Sequence, residues 1–144
     1  DVTKAAEFKK RGDAYVKDLE QRIKSWEAAL KPLKGRAVVP YHKSWVYFEE
    51  WTGLQEAGTV EPKPGIPPSP EHVVKLIRTM RDKKVSLMLI EPYYPNSTAE
   101  HVAQETKAKL VTLPTEPFGA PGAADEAKSY FGVFDAIVAR LKGV

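Results

Sequence analysis

The chain has 144 residues and a mass of 16.1 kDa, the size of one domain with a single core. Its composition is that of an ordinary globular protein, with 42% hydrophobic and 28% charged residues. No apolar run exceeds four residues, as in Leu87 to Ile90, which excludes a transmembrane helix, and the lack of cysteine removes disulfide scaffolds, thiolate zinc sites and cysteine nucleophiles. With 22 Lys+Arg against 19 Asp+Glu the net charge is +3, and the basic residues are interspersed with acidic ones, so no nucleic-acid surface is indicated.

In chain order, the apolar residues Phe8, Tyr15, Val16, Leu19, Ile23, Trp26 and Leu30 recur at spacings of three, four and seven, which predicts one amphipathic helix over Thr3 to Leu30, closed by Pro32 and Gly35. A helix of about seven turns is long for a small domain and is expected to reach beyond its own core. After Gly35 the period changes. Strands are predicted at Arg36 to Tyr41, Gln55 to Val60, Val85 to Ile90 and Lys109 to Leu113. Helices are predicted at Ser44 to Trp51, Pro70 to Asp82, Ser97 to Thr106 and about Asp125 to Leu141. Ser69 before Pro70 reads as a serine N-cap with proline at the first helical position, and Ser97 with Glu100 as a capping box. Alternating strands and helices give an α/β fold: a four-stranded parallel sheet flanked by helices and preceded by one long helix. Val85 to Ile90, the most hydrophobic strand, is its expected centre.

Twelve prolines punctuate this pattern, and Pro40, Pro62, Pro92 and Pro114 each fall at or just past the end of a predicted strand, where ladder pairing must stop. The carboxyl edge of an open parallel sheet is where ligands bind. The four strands deliver His42, Glu61, Glu91 and Glu116 to that edge. One imidazole and three carboxylates suit a divalent cation such as zinc or manganese. They equally suit general acid/base chemistry, and the ordinary alternative is a helix-capping histidine among solvated glutamates. His72 and His101 fall on the polar sides of predicted helices and are read as surface residues. The aromatics Tyr41, Trp45, Tyr47, Phe48 and Trp51 are read as a buried helix face rather than a base-stacking platform. The proline-rich stretch from Glu61 to Pro70 is read as a rigid loop leading into a helix. Phosphate-binding glycine loops, the GxSxG elbow and HExxH are all missing from the sequence.

The segment Val38-Val39-Pro40-Tyr41-His42-Lys43-Ser44-Trp45-Val46-Tyr47-Phe48 resembles the strand, histidine and aromatic helix of the cluster A-I metal-binding proteins, the periplasmic solute-binding components of zinc and manganese ABC transporters. Trp51-Thr52-Gly53-Leu54, Pro67-Pro68-Ser69-Pro70-Glu71-His72, Leu89-Ile90-Glu91-Pro92 and Ser129-Tyr130-Phe131 follow in the family's order, so the likeness covers about residues 36 to 142. The resemblance implies a single C-terminal lobe, residues 33–144, of a two-lobe solute-binding protein, with residues 1–32 as the long linking helix. It implies a binding component and not an enzyme. The cargo would be Zn²⁺ or Mn²⁺, with no catalytic cofactor. The partners would be the N-terminal lobe of the same protein and an ABC transporter permease, without nucleic acid or membrane insertion. The location would be the periplasm, with a secreted or lipid-anchored precursor.

By the same resemblance His42 matches the lobe's metal-coordinating histidine. The family's aspartate after the last strand is missing from Leu113-Pro114-Thr115-Glu116-Pro117, so the candidate metal ligands are His42 with Glu116 through a longer arm or Glu91 turned inward, or else fewer protein ligands and a retained water. Glu91 stands ahead of Glu116 because it ends the central strand and needs no loop rearrangement. The family's two N-terminal-lobe histidines have no counterpart, so the chain is expected to be a fragment or one lobe that folds but binds Zn²⁺ poorly by itself. Capture is expected to weaken below about pH 6, where imidazoles protonate. The rival expectation is a small flavodoxin-like α/β domain, or an acid/base enzyme using His42 and Glu91.

Overall fold

The computed structural model describes residues 2–117 and 127–144. Among these the helices are α1 (Ala5–Leu30), α2 (Val46–Thr52), α3 (Pro70–Asp82), α4 (Ser97–Thr106) and α5 (Tyr130–Leu141). The strands are β1 (Ala37–Pro40), β2 (Gln55–Glu56), β3 (Leu87–Ile90) and β4 (Lys109–Thr112). The strands form one parallel sheet in the order β2-β1-β3-β4. Val38, Val39 and Pro40 of β1 pair with Leu87, Met88 and Leu89, and β3 pairs with β4 from Leu87–Lys109 to Ile90–Thr112. The predicted α/β architecture, a four-stranded parallel sheet with one long helix in front, is the one that forms.

The side-chain period of two in a strand splits the core into two layers. Val38, Leu87, Leu89 and Val111 face Leu30, Leu33, Trp45, Val133 and Ile137, that is, the layer of α1, α2 and α5. Val39, Met88 and Ile90 face Leu76, Met80, Ala99 and Val102 of α3 and α4. All four side chains of β3 are fully buried, as expected of a central parallel strand covered on both faces.

Helix α1 meets this body chiefly through its second half, with Tyr15 also stacking on Phe131 of α5 (centroids 4.8 Å). Residues 3–17 are exposed, including Phe8, Tyr15 and Val16, whereas Trp26 and Leu30 are buried. A latch to α5 fixes the second half: the Trp26 indole donates to Asp135 Oδ1 (2.8 Å), Arg22 Nη1 reaches Asp135 Oδ2 (3.0 Å), and Trp26 stacks on Phe134 with centroids 4.9 Å apart. At 1.5 Å per residue, 26 residues span about 39 Å. No helix among the described residues is long and apolar enough to cross a membrane.

Several boundaries differ from expectation for local reasons. Helices α3 and α4 keep their predicted bounds, and Ser69 caps α3 by accepting from the His72 amide at 3.2 Å. The capping box at Ser97 does not form: Asn96 holds the cap position in a helical conformation without a side-chain bond, and Ser97 is already helical. Strand β2 shrinks to two residues because Gly58, at φ +146°, bends the chain. Ala57, Val60 and Glu61 nevertheless still donate to the carbonyls of Val38, Pro40 and Tyr41. Among the predicted aromatic face, Tyr41 and Trp45 are buried and Phe48 and Trp51 pack on the core. Tyr47, out of step with the spacing of three, is almost fully exposed. Helix α5 is capped by Ser129, which accepts from the Gly132 amide, and the predicted start near Asp125 lies outside the described residues.

Candidate functional site

The chain runs from β1 outward to β2, then crosses back to β3 and on to β4, so the strand order reverses between β1 and β3. The crevice beyond the carboxyl ends of the two strands flanking such a reversal is the favoured ligand position in open α/β sheets. Strand β1 runs straight into Tyr41 and His42, and β3 into Glu91. The Tyr41 amide donates to the Leu89 carbonyl (2.7 Å), carrying the pairing one residue past β1. On the other side the Glu61 amide donates to the Tyr41 carbonyl (2.8 Å), which sets Glu61 beside His42.

The resulting contact is direct: His42 Nδ1 lies 3.2 Å from Glu61 Oε2. The second oxygen, Glu61 Oε1, accepts from the Gly65 amide at 3.0 Å. That amide is presented by a turn over Lys63-Pro64-Gly65-Ile66, closed by Ile66 N–H to Lys63 O (3.1 Å) with Gly65 at φ +72°. Proline followed by a left-handed glycine is the composition of a type II turn. Pro64 and Gly65 therefore fold the loop back onto Glu61.

Glu91 lies beneath the rim rather than on it, completely buried, and its carboxylate oxygens make only loose polar contacts, none with full hydrogen-bond geometry. Burial raises its pKa. The Ser44 hydroxyl, its own backbone amide, the His42 ring and the Trp45 indole oppose that rise. A buried carboxyl without full partners is energetically costly when charged, so it belongs to a built site or is held neutral.

Three tyrosines line the same edge. Tyr41 stacks on Tyr94 with centroids 4.6 Å apart, and the Tyr94 ring is 6.2 Å from that of His42. The hydroxyls of Tyr41, Tyr93 and Tyr94 are all pushed above their usual 10, first by burial and next by Glu61 for Tyr41 and by Glu91 for Tyr93 and Tyr94. Tyr93 also feels Glu116 and hydrogen-bonds with Thr115, which connects the end of β4 to this edge.

Of the sequence-predicted residues, His42 is brought into contact with Glu61, Glu91 sits below them, and Glu116 is exposed and reaches this edge only through its charge on Tyr93. Among the described residues no three histidine or carboxylate side chains are gathered closely enough to hold an ion. Glu61, placed on the rim by its Glu-Pro pair but left out of the expected ligand set, is the carboxylate that touches the histidine; the following Pro-Gly turn is the signal that marks it. Ser44 and Tyr94 carried no such signal. His72 binds the Thr59 carbonyl through Nε2 (2.9 Å) and His101 is exposed, so both stand apart from the edge.

The chain is 26% identical over 120 residues to the high-affinity zinc uptake system protein ZnuA of Brucella abortus (strain 2308), covering 83% of this chain and 35% of that protein. It is 27% identical over 101 residues to the ZnuA of Yersinia pestis, covering 70% of this chain and 31% of the relative. The chain thus spans about a third of the length of these curated relatives.

Among solved structures, the solute-binding protein FpvC of Pseudomonas aeruginosa in complex with Mn²⁺ shares the fold with a TM-score of 0.71 at 23% identity, over 97% of this chain and 50% of that one. The Cd-bound periplasmic metal-binding protein of candidatus Liberibacter asiaticus shares it with a TM-score of 0.73 at 21% identity, over 98% and 54%. Across its whole length, residues 1–144, the sequence matches the family described as ZnuA, zinc-uptake complex component A, periplasmic, and the chain belongs to that family.

Proposed function

We propose that the chain is the C-terminal lobe of a divalent-metal capture protein, with residues 1–32 as the linking helix and 33–144 as the lobe. It would bind Zn²⁺ or Mn²⁺ as cargo between itself and an N-terminal lobe, in the periplasm, for delivery to an ABC transporter permease. The observation that carries this reading is His42 at the β1/β3 reversal with carboxylates around it and, among the described residues, no group of three ligands gathered there. A tetrahedral zinc site wants about four protein or water ligands, and a lobe that contributes one or two of them is half a site. His42 supplies the nitrogen. Glu116 is the carboxylate open to solvent, and Glu91 acts from below, entering the ligand set only if Ser44 and Trp45 move aside. The role is binding and not catalysis, and no cofactor is required.

The test is calorimetric titration of the chain with Zn²⁺ beside its His42→Ala variant, with anomalous scattering from zinc-soaked crystals. Weak binding that vanishes in the variant, with a peak about 2.1 Å from the His42 ring, is the expected result. Binding indifferent to His42 would refute the reading, and submicromolar affinity dependent on His42 would refute the half-site part of it.

A further inference from the structure

We propose that Glu61 is the positioning residue of His42: its Oε2 accepts from Nδ1–H of the ring, which keeps the proton on Nδ1 and leaves Nε2 bare and open at the rim, while its Oε1 anchors the pair to the Pro64–Gly65 turn. A neutral imidazole carries one proton on one of its two nitrogens, and the partner of the protonated nitrogen decides which. In His42 the nitrogen inside the protein is Nδ1, shielded from solvent and facing Glu61 Oε2 at 3.2 Å. An ionised carboxylate only accepts, so it selects the N–H form at Nδ1. The ring's solvent-reachable edge is then the one bearing the free lone pair of Nε2.

Both oxygens of Glu61 are already engaged within the protein, one by the Gly65 amide and one by the ring. Glu61 is itself nearly buried, which suits orientation of a ligand better than ligation. Glu91 acts on the ring through its field, whereas Glu61 is the carboxylate in contact with it. The Nδ1 contact falls short of full hydrogen-bond geometry in the ligand-free chain, and functional hydrogen bonds are often loose until the ligand is bound. The arrangement is the histidine–carboxylate support that orients metal-binding imidazoles, built here from a strand end and a type II turn. Its consequence for zinc rests on the capture reading above, but the tautomer does not.

Long-range proton–nitrogen NMR of the metal-free chain near neutral pH reads the tautomer directly. Nδ1–H with a bare Nε2 is expected in the native chain, and the opposite tautomer overturns the proposal even if no variant folds. Glu61→Gln, whose amide offers a donor as well as an acceptor, should shift His42 toward the Nε2–H form and raise the Kd for Zn²⁺ by about 10- to 100-fold, with zinc followed at the His42 ring resonances. An unchanged tautomer, or a zinc Kd altered by less than about twofold while zinc does bind His42, overturns it. A tautomer that depends on Glu61 in a native chain whose His42 ignores zinc supports the positioning and sinks the capture reading.

Discussion

Glu49 offers a test of the electrostatics that is independent of any ligand. It lies in α2 with 7% of its surface exposed, and its Oε1 is buried without a hydrogen-bond partner. Burial pushes its pKa up from 4.5 to about 7. Glu56 of β2 adds to the rise and Lys43 opposes it. A carboxyl whose pKa is higher folded than unfolded makes the folded state hold the extra proton, so stability is greatest below about pH 4.5 and falls as pH climbs to about 7. At about 1.4 kcal/mol per pH unit the gap sets an upper bound of about 3 kcal/mol, and partial relaxation toward Lys43 and solvent brings the expected effect to about 1–2 kcal/mol. Urea unfolding followed by tryptophan fluorescence, at about pH 5 and about pH 8, should show the native chain losing that much relative to Glu49→Gln, which keeps the shape but cannot ionise. Glu91, raised in the same direction, titrates in both proteins and cancels in the difference. Parallel pH dependence of the two proteins would refute the assignment.

Other substitutions probe the scaffold. Asp135→Ala removes the acceptor of the buried Trp26 indole and the partner of Arg22, and should cost about 1–2 kcal/mol by chemical denaturation, with increased amide exchange confined to α1 and α5. Leu89→Ala in the centre of β3 should cost about 2–5 kcal/mol, read as a lower urea midpoint with unchanged slope. Ser69→Ala should lose about 1 kcal/mol from α3, while Asn96→Ala, whose side chain caps nothing, should be nearly neutral.

What the sequence could and could not disclose follows from whether each determinant is local. Helix α3 announces itself through Ser69 and Pro70, both within its first turn, and β3 through four consecutive apolar residues. The capping box at Ser97 matches a local pattern that does not form, since the chain leaving β3 already enters the helical region at Asn96. The shortening of β2 hangs on Gly58, where an added Cβ would meet Leu76 Cδ1 at 3.1 Å, a contact with α3 that no local pattern carries. Three Glu-Pro pairs are equivalent as sequence, yet Glu61 lies against His42, Glu91 beneath it and Glu116 in solvent. Glu61 is fixed by the Pro64–Gly65 turn just after it, which the sequence does carry, whereas the burial of Glu91 against Ser44 and Trp45 depends on residues brought in from another segment. Glu49 and Glu50 are indistinguishable as letters, and the rotation of α2 alone decides which is buried.

The depth of Glu91 also bears on what kind of ligand the crevice favours. At the reversal point of an open α/β sheet, helix N-termini usually leave a position suited to phosphate. Here Glu91 occupies that ground, against Ser44 and Trp45 where the chain enters α2, so a protein carboxylate stands where an external anion would otherwise be welcome. Glu61 adds a second carboxylate at the rim. The chain as a whole carries a net charge of +3, yet at this one edge Tyr41, Tyr93 and Tyr94 all have a carboxylate as the leading electrostatic cause of their raised pKa. A negative field concentrated in a partly desolvated crevice attracts cations and repels phosphates and carboxylates, and low local dielectric strengthens both effects. On the capture reading proposed above, Glu61 and Glu91 set this switch-point crevice for a cation where related topologies cradle an anion.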